Sequence, residues 1–308
     1  MFILVILLIF ILLAAGFFFN IALLRHSANS MGTRRKNPSN PWGAYYSRIQ
    51  NGVDWLYQQK PELVEIRSYD GLRLCGYFLP ANNAHTTILL MHGYRSRELY
   101  DFSCIYQYYH EHGYNLLIPW QRAHGRSEGH FICFGVKERF DCLKWIEYIN
   151  NRFGMQQDII MEGMSMGAST VLMAAGLPLP ENVRGVIADC GFTSPYEIMA
   201  NTMQRWKIPV HPYLDMMTWI IRFFPGIDLH TSTEDALRFC RIPLLLIHGT
   251  ADRIVPPEMS QRNFNACAGE KELLLVDGAG HGFSYLVNEE LCSLALERFL
   301  TKNCKQKE

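Results

Sequence analysis

The chain has 308 residues, 49% hydrophobic and 19% charged, enough to bury the core of one large α/β domain. Its 29 basic residues balance 29 acidic ones, with no basic stripe or aromatic-interleaved patch, which argues against nucleic acid as a partner. Nine dispersed cysteines, with no C-x-x-C and no His/Cys cluster, resemble reduced core thiols, so no disulfide framework, metal or other cofactor is expected.

Residues 1–24 carry no charged side chain, a run long enough for a transmembrane helix, so 1–25 is expected to be an anchor. A cleaved signal peptide is the competing reading, but no Lys or Arg precedes the apolar run. Arg25, Arg34, Arg35 and Lys36 all follow it, and the positive-inside rule then puts the rest of the chain on the cytoplasmic face. Polar residues with two prolines make 26–44 a tether. The folded domain is expected over 45–304.

Within it, a mixed pattern over 45–59 predicts a helix stopped by Pro61. Short alternating runs at 63–68 and 72–79, joined through Asp70-Gly71, predict an antiparallel hairpin. Buried strands are expected at 86–91, 114–119, 158–162, 184–188, 242–247 and 272–276. Helices are expected at 97–112, 137–152 and 284–300. This alternation implies a mostly parallel sheet covered on both faces. The stretch 192–239 interrupts it with expected helices rich in Met and aromatics. It is expected to form a small cap in which Met203, Trp206 and Trp219, with Met164, line an apolar acyl pocket; two helices merely packing on the sheet are the plainer alternative.

The organising motif is Gly163-Met164-Ser165-Met166-Gly167, set between an apolar strand and a helix. Such a turn holds a serine in a strained conformation with its hydroxyl exposed, and the flanking glycines stand where strand and helix nearly collide. Taken alone, Ser165 also reads as an ordinary helix N-cap. A serine hydroxyl needs a histidine to take its proton and a carboxylate to hold the imidazole. Asp252 and His281 each lie just past a separate predicted strand, where open parallel sheets place their ligands. The amides of Met166 and Tyr94 are the candidate oxyanion hole. Asp189, also past a strand, is the second candidate acid, and His124 reads as loop scaffolding.

Met91-His92-Gly93-Tyr94, the Gly163–Gly167 motif, His248-Gly249-x-x-Asp252-x-x-Val255-Pro256 and Gly280-His281 resemble the α/β-hydrolase superfamily over about residues 60–300. Within it the chain is similar to a bacterial group described as serine aminopeptidase-like, often with an N-terminal membrane anchor. The stretches from Gln121 to Gly129 and from Asp189 to Pro195 share the likeness. Trp120 departs from it, standing where that group commonly carries Asp. The resemblance implies an α/β-hydrolase fold, the chain order Ser165, Asp252, His281 for the triad, and a small-molecule acyl substrate. The expected activity is hydrolysis of an ester or thioester with an apolar acyl group. An aminopeptidase-like amidase, for which Glu197, Asp215, Glu234 and Asp235 would have to grip an amine, and a non-enzymatic binding protein remain the alternatives. Nothing in the sequence speaks to oligomeric state.

Overall fold

The computed structural model describes residues 2–25, 43–96 and 99–304, with side chains from residue 12 onward. All of the expected tether but its last two residues lies outside the described residues. The elements in chain order are α1 (Phe2–Leu23), α2 (Tyr46–Gln58), β1 (Glu62–Arg67), β2 (Arg73–Leu79), β3 (Thr86–Met91), α3 (Tyr106–Glu111), β4 (Asn115–Pro119), α4 (Glu138–Phe153), β5 (Asp158–Met164), α5 (Met166–Ala174) and β6 (Val183–Asp189). They continue with α6 (Pro195–Arg205), α7 (Tyr213–Phe223), α8 (Thr233–Leu237), β7 (Leu244–Gly249), α9 (Pro257–Ala266), β8 (Lys271–Val276), α10 (Ser284–Val287) and α11 (Glu289–Asn303).

The eight strands form one sheet in the order β1-β2-β4-β3-β5-β6-β7-β8. β2 pairs antiparallel with β1 and β4, and every other pairing is parallel. Fully buried β3 shows how alternation organises the core. Leu89 and Met91 join Trp145 and Ile146 of α4 and Val171 and Leu172 of α5 on one face. Ile88 and Leu90 meet Val53 and Leu56 of α2, Tyr106 of α3 and Leu296 of α11 on the other. The crossovers then deliver the ends of β3, β5, β6, β7 and β8 to one edge.

Two helices differ from expectation. The one expected at 97–112 is reduced to α3, because residues 99–105 form turns and send the Asp101 carboxylate to the Gly93 amide, 2.7 Å away. The last helix restarts at Asn288, whose side chain accepts from the Leu291 amide at 3.1 Å and caps α11.

The sequence also set the N-terminal helix apart from the domain, whereas the structure docks its C-terminal end onto it. Leu23 is fully buried in a third apolar cluster, with Phe18, Phe19 and Ala22 packed alongside. Leu24 bridges Phe131, and the Ile132 amide donates to the Leu23 carbonyl at 2.8 Å. Among the described residues no helix is long and apolar enough to cross a membrane.

Candidate active site

Ser165 joins the end of β5 to the start of α5 with φ 55° and ψ −115°, a left-handed backbone that costs a non-glycine residue about 1–3 kcal/mol. The turn itself requires one glycine and the adjacent end of β3 requires the other. A Cβ on Gly163 would lie 2.2 Å from the Gly167 carbonyl oxygen, and one on Gly167 would lie 1.8 Å from that of Met91. The Ser165 amide donates to the Asp189 carbonyl at 2.8 Å, and the Ser169 amide donates to the Ser165 carbonyl at 3.0 Å. The hydroxyl caps nothing in α5, which disposes of the N-cap reading. It lies 2.9 Å from His281 Nε2 instead.

His281 stands in the loop after β8, and its Nδ1 is 2.7 Å from Asp252 Oδ2. Asp252 follows β7; its Oδ1 accepts from the amides of Ile254 at 2.8 Å and Val255 at 3.0 Å. A second imidazole, His248, brings Nε2 to 3.3 Å from Asp252 Oδ2 and 3.0 Å from the Val255 carbonyl. A carbonyl only accepts, so His248 Nε2 carries the proton, and its Nδ1 accepts from the Ser260 hydroxyl at 2.6 Å. Burial alone would raise the Asp252 carboxyl. Hydrogen bonds from His248 and His281 outweigh it and hold the group well below the usual carboxylate range. The base therefore faces a committed anion.

The other candidate acid is engaged elsewhere. Asp189 accepts from the Ser284 hydroxyl at 3.0 Å, and burial pushes its carboxyl up to about 6. That is the opposite of what a partner to an imidazolium requires.

The loop after β3 passes in van der Waals contact with the serine, since a Cβ on Gly93 would lie 3.4 Å from Ser165 Cβ. Polar groups fix this loop at every residue. The Gly93 amide is held by Asp101, and the Gly93 carbonyl accepts from His92 Nδ1 at 2.8 Å. The Arg95 amide donates to His124 Nε2 at 3.1 Å. Burial depresses both imidazoles, His124 to about 3, so they act as neutral linkers. Tyr94 thus sits on a turn braced by these hydrogen bonds beside Ser165, and the Met166 amide opens α5, where no preceding helical turn exists to accept it. Trp120 is buried against Tyr77, with ring centroids 5.0 Å apart. Gly125 wraps over the indole so closely that a Cβ there would lie 2.2 Å away.

The four pocket residues expected from the sequence separate. Met164 borders a cavity with Phe102, Ile105, Leu286 and Leu296, a lining that also includes Asp101, Glu162 and Asp189. Met203 is buried among α1, α6 and α7. Trp206 and Trp219 are corrected outward, being 65% and 63% exposed. The reason is helical phase: α7 buries Leu214, Met217 and Ile221, which turns Trp219 to the opposite side.

Cys190 brings its thiol within 4.8 Å of the ligand atoms of Asp252 and His281, a convergence hidden by sequence spacing. Two of these three groups are already committed to each other. A cation held there would compete with the proton on His281.

Sequence reasoning also missed His248 and Asp101. His248 had a signal, being four residues before the acid at a strand end; Asp101, inside an expected helix, had none.

A seryl hydroxyl at a strained strand–helix turn, in reach of an imidazole that is itself tied to a carboxylate past a later parallel strand, is the constellation of a serine-hydrolase-type α/β fold. Comparison with known proteins agrees. Residues 134–307 match the model of the prolyl oligopeptidase family, and residues 39–216 match that of the X-Pro dipeptidyl-peptidase (S15) family, each more than half of the chain. The chain belongs to the α/β-hydrolase superfamily, in the serine-peptidase-related part that these two models describe.

Among relatives, the uncharacterized protein YqkD of Bacillus subtilis is 26% identical over 237 residues, covering 76% of this chain and 77% of that protein. The uncharacterized protein YfhR of Escherichia coli K12 is 29% identical over 237 residues, 74% and 77% of the two chains. In structure, the chain is similar to the Pyrococcus furiosus esterase Pf2001, with TM-score 0.64, 22% identity, and 81% and 94% of the chains covered. It is also similar to the Pyrococcus horikoshii acylaminoacyl peptidase, with TM-score 0.60, 16% identity, and 80% and 42% covered.

Behind the serine, Glu162 is buried and accepts from the Tyr109 hydroxyl at 2.7 Å. Burial pushes its carboxyl up to about 8 from a usual 4.5. The folded state favours the neutral form, so its contribution to stability is fully present below the unfolded pKa and is lost as pH rises towards the folded one. Glu162→Gln, which keeps an acceptor for Tyr109, is expected to flatten this loss. Thermal melts should show the variant gaining roughly a few kcal/mol on the wild type between about pH 5 and pH 8. A constant offset across that range would mean that Glu162 ionises normally.

Proposed function

We propose that the chain is a serine hydrolase that cleaves an ester or thioester carrying an apolar acyl group. Ser165 Oγ attacks the acyl carbonyl while His281 Nε2 takes its proton, and Asp252 compensates the imidazolium. The amides of Tyr94 and Met166 receive the developing oxyanion. His281 then protonates the departing alcohol or thiol, leaving an acyl-enzyme. A water, deprotonated by His281, attacks this ester and releases the acid and the free serine.

The observation that carries this reading is the continuous Ser165–His281–Asp252 relay at 2.9 and 2.7 Å. The apolar part of the cavity lining beside Met164 supports a greasy acyl group, and α6 and α7 are read as a small cap above the site.

The peptidase family models favour a second reading, an aminopeptidase-like amidase. Against it, the four carboxylates that would grip an amine already have cationic or imidazole partners. Glu197 and Glu234 both bind Arg262, Asp215 binds His211, and Asp235 approaches Arg238. Turnover of p-nitrophenyl esters of rising chain length, compared with aminoacyl p-nitroanilides, separates the two. We expect the esters to be faster, with an optimum above acetate. Faster anilide cleavage would transfer the assignment to the amidase.

A further inference from the structure

Large apolar side chains left in water are informative when they gather. Among the described residues, seven keep more than 60% of their surface exposed: Leu13, Phe17, Trp206, Trp219, Phe223, Phe224 and Phe239. Six of the seven lie on α1 or in the stretch from the end of α6 to the end of α7. α1 packs along α7, and on α7 the Trp219 and Phe223 rings lie together, with centroids 4.9 Å apart. The shared buried side of the pair holds Phe18, Leu23, Met217 and Ile221, so the exposed rings and Leu13 turn away from the protein.

Cations frame this face. Arg205 and Lys207 flank Trp206, Arg222 precedes Phe223, and all three are exposed. Asp215, the acid on α7, is tied to His211 at 2.7 Å. Aromatic rings with adjoining cations are what a bilayer interface selects, the rings lying at headgroup depth and the cations meeting lipid phosphates. The face is also continuous with an N-terminal run of 24 residues that carries no charged side chain.

This face is coupled to the active-site loop. The Tyr94 hydroxyl donates to the Ala22 carbonyl at 2.8 Å, and the Arg95 guanidinium donates to the Leu24 carbonyl at 3.0 Å. Carbonyls at a helix C-terminus lack intrahelical donors and attract cations, so the oxyanion loop itself caps α1. Tyr94 stacks on Phe134 at 5.0 Å, inside the apolar cluster that α1 and α7 share.

We propose that the outer face of α6–α7, together with α1, seats in a lipid bilayer, so that Ser165 takes its acyl substrate from the membrane interface. The second half rests on the acyl-ester reading of Ser165; the first does not. Helix α1 then serves as the strut that fixes the oxyanion loop at the lipid surface.

The test uses the full chain reconstituted in phosphatidylcholine vesicles with brominated acyl chains, which quench indoles at the bilayer. Trp120 and Trp145 are buried and Trp55 lies on α2, so in a chain carrying Trp42→Phe throughout, quenching should come mainly from Trp206 and Trp219. The expected result is strong quenching of this parent chain, most of it lost in its Trp206→Phe/Trp219→Phe variant. Equal quenching of both proteins overturns the docking. So does absence of quenching together with a larger assembly on gel filtration, which would assign the face to a protein partner.

In a second arm, Phe223→Asp should lower hydrolysis of a long-chain ester held in vesicles by about tenfold, the scale of one ring's transfer from water. Hydrolysis of water-soluble p-nitrophenyl acetate should be unchanged. Equal rates on the vesicle substrate overturn interfacial access. If the wild type cleaves no ester at all, the acyl-ester reading fails, while quenching still decides the docking.

Discussion

Ser165→Ala is expected to abolish labelling by a fluorophosphonate and to lower turnover by about four orders of magnitude or more, leaving only what binding and the oxyanion amides supply. The substitution is clean for structural reasons. The hydroxyl caps no helix and contacts His281 Nε2, so its removal costs the fold little. Alanine meets the same strain at φ 55° as serine does, and the flanking glycines are untouched. Thermal stability should therefore stay close to that of the wild type, which separates loss of the nucleophile from loss of the fold. The nearby hydroxyl of Ser169 offers no substitute. It is fully buried and exchanges hydrogen bonds with the Phe192 backbone, donating to the carbonyl at 2.9 Å and accepting from the amide at 2.8 Å. Labelling that survives Ser165→Ala would place the nucleophile outside this turn and refute the assignment.

What the sequence made legible follows from how local each constraint is. Strand runs such as Thr86–Met91 declare themselves because both faces of a parallel sheet are covered, and a continuous apolar run has few other uses. The serine turn is local at Gly163, whose Cβ would strike Gly167 four residues on, while Gly167 is held to glycine by the Met91 carbonyl at the end of β3. Asp252 and His281 were readable because strand ends in this topology share one edge. The rest depends on contacts that no spacing encodes. Cys190 meets Asp252 and His281 only after two crossovers bring β6, β7 and β8 side by side. Asp101 reaches Gly93 from a segment whose composition suits a helix. The direction of Trp219 is set by which side of α7 meets α1, and Trp206 stands past the end of α6; an apolar stripe alone does not say which of its members face inward. The docking of Leu23 was hidden for a similar reason, since an uncharged run satisfies lipid and protein cores alike.

Asp252→Asn should cost about 10⁴-fold in kcat, while Asp189→Asn should leave it within a few-fold. The difference follows from hydrogen-bond polarity. In the wild type, Asp252 Oδ1 is occupied by the Ile254 and Val255 amides, so Oδ2 faces the imidazoles of His281 and His248. Asparagine keeps the first pair only with its oxygen in place of Oδ1, which turns its NH₂ towards both rings. His248 retains the Val255 carbonyl as acceptor and stays as it is. His281 must then present a lone pair at Nδ1 and carry its proton on Nε2, where it faces Ser165 as a donor. The base is lost through the wrong tautomer while the fold persists. Asp189→Asn has no such consequence, because its oxygen still accepts from Ser284 and burial already disfavours the charge that the substitution removes. Steady-state rates on one activated ester, with melting curves to verify folding, decide the matter. A large loss in Asp189→Asn beside a small one in Asp252→Asn would move the acid to β6.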